Sequence, residues 1–159
     1  MTKKVPMTVE GARRLKAELH RLKTIDRPAL SAALAEARAH GDLSENADYD
    51  AAKERQGFVE GRIAQIEHRL ASAQVIDPAH VDAHGRIVFG ATVDLADAGT
   101  GDRVTYQIVG DDEADLKHGK ISVSSPIARA LIGKYAGDEV EVQAPGGLKT
   151  FEILDIRYE

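Results

Sequence analysis

Residues 40–49 read His-Gly-Asp-Leu-Ser-Glu-Asn-Ala-Asp-Tyr, and this stretch separates two long segments that have helical periodicity. Gly41 suits the left-handed backbone position at which many helices end. Because the connection between the two helical segments is short, the helices must run antiparallel. The stretch therefore predicts a helical hairpin with an acidic tip near residues 41–49.

Apolar residues on both sides of the tip recur at alternating steps of three and four, which is typical of a two-helix coiled coil. Thr8 is a predicted N-cap, so the first helix should begin near residue 9. At Arg27-Pro28 the proline predicts a kink or a short break. The apolar seam consists of Ala12, Leu15, Leu19, Leu22, Leu30, Ala33, Leu34 and Ala37 before the tip, and of Ala52, Val59, Ile63, Ile66, Leu70 and Ala73 after it.

Each arm of roughly 30 residues would be on the order of 45 Å long at about 1.5 Å per residue. Such a length suits a probe that reaches into another molecule. Long hairpins also serve as dimerisation arms or spacers. Periodicity alone leaves both interpretations open.

Beyond residues 76–78 the apolar period changes to two, which indicates strands. The alternating residues are Ile87, Phe89, Ala91, Val93 and Leu95, then Val104, Tyr106 and Ile108, then Val140 and Val142, and finally Phe151, Ile153, Ile156 and Tyr158. The last group contains a one-residue slip that predicts a β-bulge. Pro145-Gly146-Gly147 predicts a tight turn, and residues 124–133 predict one short helix with serine caps.

The predicted fold class is therefore α+β with two domains. Residues 1–78 form an antiparallel α-helical coiled-coil hairpin, and residues 79–159 form an α+β domain that is mainly antiparallel sheet with one short helix. The net charge, counted from Arg and Lys against Asp and Glu, is +1 for residues 1–78 and −6 for residues 79–159. Together these make the net charge of −5. A chain this acidic is not a generic electrostatic binder of nucleic acid.

Composition excludes several classes of site and location. The 159 residues contain no cysteine, so disulfides, thiolate zinc sites and thiol nucleophiles are excluded. The start of the chain lacks a signal-peptide pattern, and no stretch approaches the roughly 20 apolar residues that span a bilayer. A cytoplasmic protein with no membrane partner is the simplest expectation.

The tip carboxylates Asp42 and Glu45 have two interpretations. An acceptor followed three residues later by Glu is a capping-box pattern, and acids suit the first turn of a helix. Alternatively, the two carboxylates could share one magnesium ion, which takes oxygen ligands and often keeps several waters. The nearby basic residues Arg38, Lys53 and Arg55 could meet phosphates, or simply form a solvated helix face.

Two other patterns are less suited to a metal. The six histidines show no zinc-ligand spacing within one predicted helix, and none is assigned as a ligand. Residues 110–115 are acidic but place glycine and glutamate out of register for a calcium loop, so a charged loop is preferred. The chain also lacks a phosphate-binding glycine loop, which argues against nucleotide hydrolysis.

Several long stretches, in the same order along almost the whole chain, resemble bacterial transcript-cleavage elongation factors of the Gre family, in its GreA branch. Each of them is a contiguous motif. They are residues 36–49 around Gly41-Asp42-Leu43-Ser44-Glu45-Asn46-Ala47, residues 56–63 (Gln-Gly-Phe-Val-Glu-Gly-Arg-Ile), residues 88–93, residues 108–115 and residues 125–134.

The resemblance implies a C-terminal FKBP-like domain that docks on RNA polymerase beside its secondary channel, which the hairpin enters. It implies that Asp42 and Glu45 help hold a catalytic Mg²⁺ at the polymerase active site, so that the polymerase hydrolyses the 3′ end of backtracked nascent RNA. The family's basic patch, which touches this RNA, maps to Arg38 and Arg55, and also to Lys53. The implied factor is not an enzyme by itself, binds no metal stably alone, and is expected to be a monomer when free.

Three rival functions remain. A Gre-like inhibitor would occupy the same channel without cleavage, although such relatives diverge at the tip whereas residues 41–47 keep the cleavage-factor pattern. A peptidyl-prolyl isomerase or chaperone would need an apolar, aromatic-lined pocket, and the aromatic residues after position 79 are few and fall mostly on strands. A dimeric coiled-coil scaffold is the third alternative.

Overall fold

The computed structural model describes residues 4–41 and 46–159. Among these, one compact unit consists of residues 12–73, and the other combines residues 4–11 with residues 74–159. Strand β1 (Val5–Thr8) and strand β2 (Ala73–Ile76) pair as a small two-stranded sheet. The sequence patterns predicted neither strand, because each is only four residues long and too short to show a period of two.

The first arm of the helical unit is continuous through Pro28. Helix α1 (Val9–Arg21) leads into a π-helical turn (Leu22–Asp26) and then into helix α2 (Arg27–Ala39). The backbone N–H of Arg27 donates to the carbonyl of Leu22, five residues earlier. Proline lacks the N–H that an α-helix needs, and a widened turn accommodates it without ending the helix. The break predicted at Arg27-Pro28 is thus a π-helical turn.

Helix α3 (Ala47–Ser72) forms the second arm and buries the predicted seam. The core of the helical unit consists of Leu22, Val59, Ile63 and Ile66, with Leu15, Leu19, Leu30 and Leu70 packed around it. Each fully buried aliphatic side chain of this kind contributes about 1.5–3 kcal/mol. The coiled-coil prediction is confirmed for these positions, whereas Ala33 is exposed.

Ion pairs flank this seam and hold the antiparallel register. Arg62 donates to both carboxylate oxygens of Glu18, at 2.6 and 2.8 Å, and Arg27 does the same to Glu60, at 2.8 Å twice. The bond from Arg62 is the main reason that the pKa of Glu18 lies below its ordinary value. Such partly exposed pairs add little stability individually, but their fork geometry selects one alignment of the helices.

The other unit is built on a five-stranded sheet in the order β5-β4-β3-β7-β6. Its strands are β3 (Thr92–Asp97), β4 (Arg103–Val109), β5 (Lys120–Ser122), β6 (Glu139–Ala144) and β7 (Gly147–Arg157). Within this sheet, whose residues are all described, β4 and β5 pair in parallel and the other neighbours pair antiparallel. Helix α4 (Pro126–Leu131) contributes Ala128 and Leu131 to the core. The predicted α+β class, mainly antiparallel with one short helix, is confirmed.

One strand prediction is wrong at its start. Residues 87–91 alternate as a strand would, but β3 begins only at Thr92. Ile87 and Ala91 are fully buried, so the alternation reflects burial in the core. Gly90 turns the chain with a φ of 91°, close to the ring of Pro78, which prevents a continuous strand.

The predicted bulge and the closing hairpin are confirmed. Asp94 pairs with Asp155 but Leu95 pairs with Ile153, so one residue of β7 has no partner on β3. Within the described ranges, no helix is both long enough and apolar enough to cross a membrane.

Candidate functional site at the hairpin tip

Helix α2 ends just before Gly41, as the sequence predicted. The helix stops at Ala39, and Gly41 follows with a φ of +99°, a conformation that L side chains rarely adopt. The N–H of Gly41 donates to the carbonyl of Arg38 at 3.2 Å. Arg38 therefore stands in the last turn of α2, where a cation also suits the helix dipole.

Helix α3 begins with an asparagine cap. Asn46 precedes the first helical residue, and its Oδ1 accepts a hydrogen bond from the N–H of Tyr49 at 3.0 Å. Asp48 and Asp50 follow in the first turn, which suits the positive end of the helix dipole. The capping role considered for Asp42 is thus performed for α3 by Asn46.

The same asparagine side chain also reaches the other arm. Its Nδ2 donates to the carbonyl oxygen of Ala37 at 2.7 Å, in the last turn of α2. A second link lies beside it, because the guanidinium carbon of Arg38 is 5.9 Å from the centroid of the Tyr49 ring. We call these four residues, Ala37, Arg38, Asn46 and Tyr49, the tip clasp.

The predicted metal ligands Asp42 and Glu45 lie outside the described residues. In the parts of the chain that the structure describes, no group of three or more His, Asp or Glu side chains could hold a metal ion. A shallow groove beside Ala37 is lined also by Ala33, Glu36, His40 and Asp48. The described end of the hairpin therefore presents acidic groups and an imidazole around an apolar floor.

The three predicted RNA contacts do not form one patch. Tyr49 and Lys53 are four residues apart on α3 and share a face, so Lys53 lies on the side where Arg38 meets the Tyr49 ring. Arg55 is two residues beyond Lys53, about 200° away around the helix axis. All three side chains are exposed, and Lys53 Nζ lies 3.5 Å from Gln56 Oε1. By helical spacing, Arg38 and Lys53 thus lie on the same side of the hairpin end, and Arg55 lies on another face of α3.

The acidic loop at residues 110–115 binds other parts of its own unit. Glu113 accepts hydrogen bonds from the N–H groups of Thr8 and Gly110, at 3.0 and 2.8 Å. Asp111 accepts from the hydroxyls of Ser122 and Ser124. These contacts lower the pKa of Asp111, chiefly through Ser122, and agree with a structural loop rather than a calcium site.

Sequence reasoning missed the roles of Asn46 and Glu113. A signal for Asn46 was present, since an asparagine directly before a helix with acids in its first turn is a strong N-cap pattern. No local signal indicated that Glu113 binds Thr8, because the two residues meet only in the folded unit.

Two family models cover most of the chain. The model described as "Transcription elongation factor, N-terminal" matches residues 5–75, and "Transcription elongation factor, GreA/GreB, C-term" matches residues 82–158. The chain is 69% identical to transcription elongation factor GreA of Ralstonia nicotianae over 97% of this chain and 98% of that protein. It is 65% identical, with the same coverage, to the GreA of Verminephrobacter eiseniae.

Among solved structures, the prokaryotic transcription elongation factor GreA/GreB from Nitrosomonas europaea is 24% identical, with a TM-score of 0.42, over 98% of this chain and 100% of that one. The two family models together match residues 5–75 and 82–158, and the two GreA relatives match over 97% of this chain. This chain belongs to the GreA/GreB family of transcription elongation factors.

Proposed function

We propose that this elongation factor enters the secondary channel of RNA polymerase with its helical hairpin and stimulates cleavage of the 3′ end of backtracked nascent RNA. In this proposal Asp42 and Glu45 complete a magnesium site that the polymerase supplies in part. The factor rescues arrested complexes and is not a nuclease by itself. Polymerase and nascent RNA are its partners, and it works in the cytoplasm.

The observation that carries the proposal is the asparagine cap. Since Asn46 accepts the hydrogen bond at the start of α3, that helix needs no carboxylate from residues 42–45 as its N-cap. Helix α3 has 26 residues and is about 39 Å long, which suits a probe. Family membership supports the same interpretation, because the relatives are named as elongation factors.

The donor chemistry fits magnesium. Mg²⁺ takes oxygen ligands and is usually bound through one or two carboxylates with water and phosphate oxygens. Asp42 and Glu45 provide two carboxylates, and the described residues contain no group that could hold a metal ion alone. When bound, the ion would supply an activated water and stabilise charge on the phosphate. This chain contributes the two carboxylates and their placement.

The basic residues would hold the RNA beside the carboxylates. Arg38 and Lys53 occupy the face of the hairpin end around Tyr49, and Arg55 occupies a different face. A guanidinium binds a phosphate through two parallel hydrogen bonds, so Arg38 is suited to orient one phosphodiester. Lys53 would add a less directional charge beside it.

The test replaces both carboxylates by their neutral isosteres, Asp42→Asn with Glu45→Gln. We expect the folded state and polymerase binding to be unchanged, and cleavage in backtracked complexes to fall at least about 100-fold, because several kcal/mol of charge stabilisation is lost. The matched control is Asp48→Asn with Asp50→Asn, which removes two acids from the first turn of α3 and should keep most of the cleavage.

Cleavage is measured with purified polymerase over a range of magnesium concentrations. Full cleavage by the Asp42/Glu45 double variant would refute the metal role. If the unmodified factor binds the polymerase and blocks synthesis without cleaving RNA, the chain is a channel inhibitor instead.

A further inference from the structure

We infer that Tyr49 is a positioning residue for RNA binding: its ring, on one arm of the hairpin, holds the guanidinium of Arg38, on the other arm, ready for a phosphate. The inference rests on the proposed function for the identity of the ligand, a phosphodiester of nascent RNA. The contact itself joins two described residues. Tyr49 acts through Arg38 and needs no contact of its own with RNA.

The contact uses the face of the aromatic ring. The guanidinium carbon of Arg38 lies over the Tyr49 ring, 5.9 Å from its centroid. The negative face of a ring attracts a cation without neutralising it. The five N–H donors of a guanidinium lie in its plane, and they bind a phosphate through two parallel hydrogen bonds. The ring therefore restrains Arg38 while leaving its charge and its donors for an anion.

The choice of partner matters, because a carboxylate would hold Arg38 more tightly but would compete with RNA. Asp48 and Asp50 stand on either side of Tyr49 in the first turn of α3, yet the guanidinium of Arg38 contacts the ring between them. In the ion pairs beside the seam of this hairpin, two guanidinium donors bind one carboxylate, so they are not available to a phosphate. The ring does not occupy the donors of Arg38 in this way.

The backbones that carry the two side chains are tied together by Asn46. Its Oδ1 accepts from the N–H of Tyr49 at 3.0 Å, and its Nδ2 donates to the carbonyl of Ala37, the residue before Arg38, at 2.7 Å. Tyr49 is half-buried, and a tyrosine side chain has only two torsion angles to restrain. The ring is thus a defined platform, whereas Arg38 is exposed and has a flexible side chain.

Lys53 adds a second cation on the same side. It is exposed and follows Tyr49 by four residues on α3, so the two side chains share a face of that helix. Because like charges repel, an unrestrained Arg38 would turn away from Lys53, whereas the ring keeps it on this side. Arg38 supplies directional hydrogen bonds to a phosphate, and Lys53 supplies charge without direction.

The expected effect is modest because the contact is exposed. A cation–π contact of this kind corresponds to about a two- to fivefold change in an equilibrium constant. Holding Arg38 in advance also lowers the side-chain entropy that RNA binding costs. Tyr49→Leu should therefore weaken the RNA-dependent part of binding by about this factor, and Tyr49→Phe, which keeps the ring, should bind like the unmodified chain.

The first measurement is made on the free, full-length chain by nuclear magnetic resonance. A ring current shifts the protons of a side chain that lies over the ring, so the Arg38 protons should be displaced upfield in the unmodified chain and in Tyr49→Phe. In Tyr49→Leu they should move to the positions of an ordinary exposed arginine. Circular dichroism checks that both variants keep their helical content, because each retains the backbone N–H that Asn46 caps. Arg38 shifts that do not depend on Tyr49 would overturn the inference.

The second measurement compares the affinity of the factor for polymerase complexes with and without extruded RNA, in the absence of magnesium so that no RNA is cleaved. The ratio of the two affinities separates the RNA contact from docking. We expect Tyr49→Leu to lower this ratio about two- to fivefold, with unchanged affinity for complexes that lack extruded RNA. Tyr49→Phe should restore the ratio. Tyr49→Leu should have no further effect when Arg38→Ala is already present.

Phe58→Leu is the matched control, because it removes an aromatic ring from the same helix. Phe58 is 71% exposed and lies on the opposite face of α3 from Tyr49, about 13 Å further along the helix. This variant should leave the affinity ratio unchanged. If Tyr49 served only to join the two arms, its replacement would change stability but not the ratio.

The inference is overturned if Tyr49→Leu keeps the full ratio, if Phe58→Leu lowers the ratio equally, or if Tyr49→Leu acts as strongly in the Arg38→Ala background. The absence of any RNA-dependent gain in the unmodified factor would also overturn it. Failure of the proposed function is a different result, in which the unmodified factor gains affinity from extruded RNA but does not stimulate its cleavage when magnesium is added. In that case the role of Tyr49 in RNA binding stands.

Discussion

The carboxylate of Glu113 accepts a hydrogen bond from the backbone N–H of Thr8 at 3.0 Å, although 105 residues separate the two in sequence. The hydroxyl of Thr8 donates to the same carboxylate and accepts from the N–H of Gly11 at 3.0 Å. Thr8 is only 4% exposed. One acid of the 110–115 loop thereby binds Thr8, the cap of α1, within the unit that contains the five-stranded sheet.

This anchor predicts a stability loss on truncation. Glu113→Ala leaves the nearly buried N–H and hydroxyl of Thr8 without their acceptor, so the free energy of unfolding should fall by about 1–3 kcal/mol. Glu113→Gln keeps one acceptor oxygen and should lose less. Urea unfolding measures both, with the exposed Glu141→Ala as control. Equal stability of Glu113→Ala and Glu141→Ala would contradict the prediction.

Two glycines should respond oppositely to the same substitution. An added Cβ at Gly11 would lie 2.0 Å from Oε1 of Glu113, whereas at Gly61, inside α3, it would meet nothing within 4 Å. Gly11→Ala must displace the anchoring carboxylate and should destabilise the protein by about 1–3 kcal/mol. Gly61→Ala should stabilise α3 by up to about 1 kcal/mol, since alanine favours helix. Thermal unfolding measures the change in stability for each variant. A stabilising effect of Gly11→Ala would contradict the close approach of Gly11 to the Glu113 carboxylate.

The basic residues should separate into a coupled pair and an independent site. Arg38 and Lys53 lie on the Tyr49 face, so the effects of Arg38→Ala and Lys53→Ala on cleavage should be non-additive by about 0.5–3 kcal/mol. Arg38→Ala and Arg55→Ala should add within about 0.5 kcal/mol, because Arg55 lies on another face. Cleavage rates of the single and double variants test this. Stronger coupling of Arg38 with Arg55 would reverse the assignment.

Acid should weaken the helical unit through Glu18 and Glu60. Hydrogen bonds from Arg62 and Arg27 hold the pKa values of these carboxyls below their ordinary value of 4.5. A pKa that is lower in the folded state contributes stability above the unfolded-state pKa and loses it as pH falls. Urea unfolding should therefore show stability decreasing below about pH 4.5.

The Glu18→Gln variant tests the cause, because it should flatten part of this pH dependence. The exposed Glu54→Gln serves as the control on α3. An unchanged pH profile in Glu18→Gln would mean that other carboxyls carry the acid sensitivity.

Much of the helical unit was predictable because its signals are local. The apolar spacing within each arm, the cap at Thr8 and the end at Gly41 each depend on residues a few positions apart, and the predicted apolar residues Leu22, Val59, Ile63 and Ile66 form the core. The β-bulge in β7 was predictable for the same reason, because a one-residue slip in the apolar alternation is visible within the sequence of that strand. The placement of Asp42 and Glu45 stays a prediction.

Local sequence patterns did not predict the structure correctly where a residue is buried without lying in a paired β-strand, or where its hydrogen-bond partner is distant in sequence. Residues 87–91 alternate because Ile87 and Ala91 are buried in the core, yet strand β3 begins only at Thr92. The acids at 110–115 looked alike in sequence, and the fold gave them different partners: Glu113 binds Thr8, and Asp111 binds serine hydroxyls. Such contacts join segments that are distant in sequence, so the periodicity of the sequence does not predict them.

The sequence by itself determined the hairpin, the mainly antiparallel sheet and the family, because apolar periodicity, turn residues and long motifs depend only on the order of residues along the chain. Only the tertiary structure decided that one amide of Asn46 joins Ala37 to Tyr49, and that Glu113 anchors Thr8. A side chain's hydrogen-bonding capacity is readable from its type. Which groups it bonds depends on what the packed helices and strands bring within about 3 Å of it.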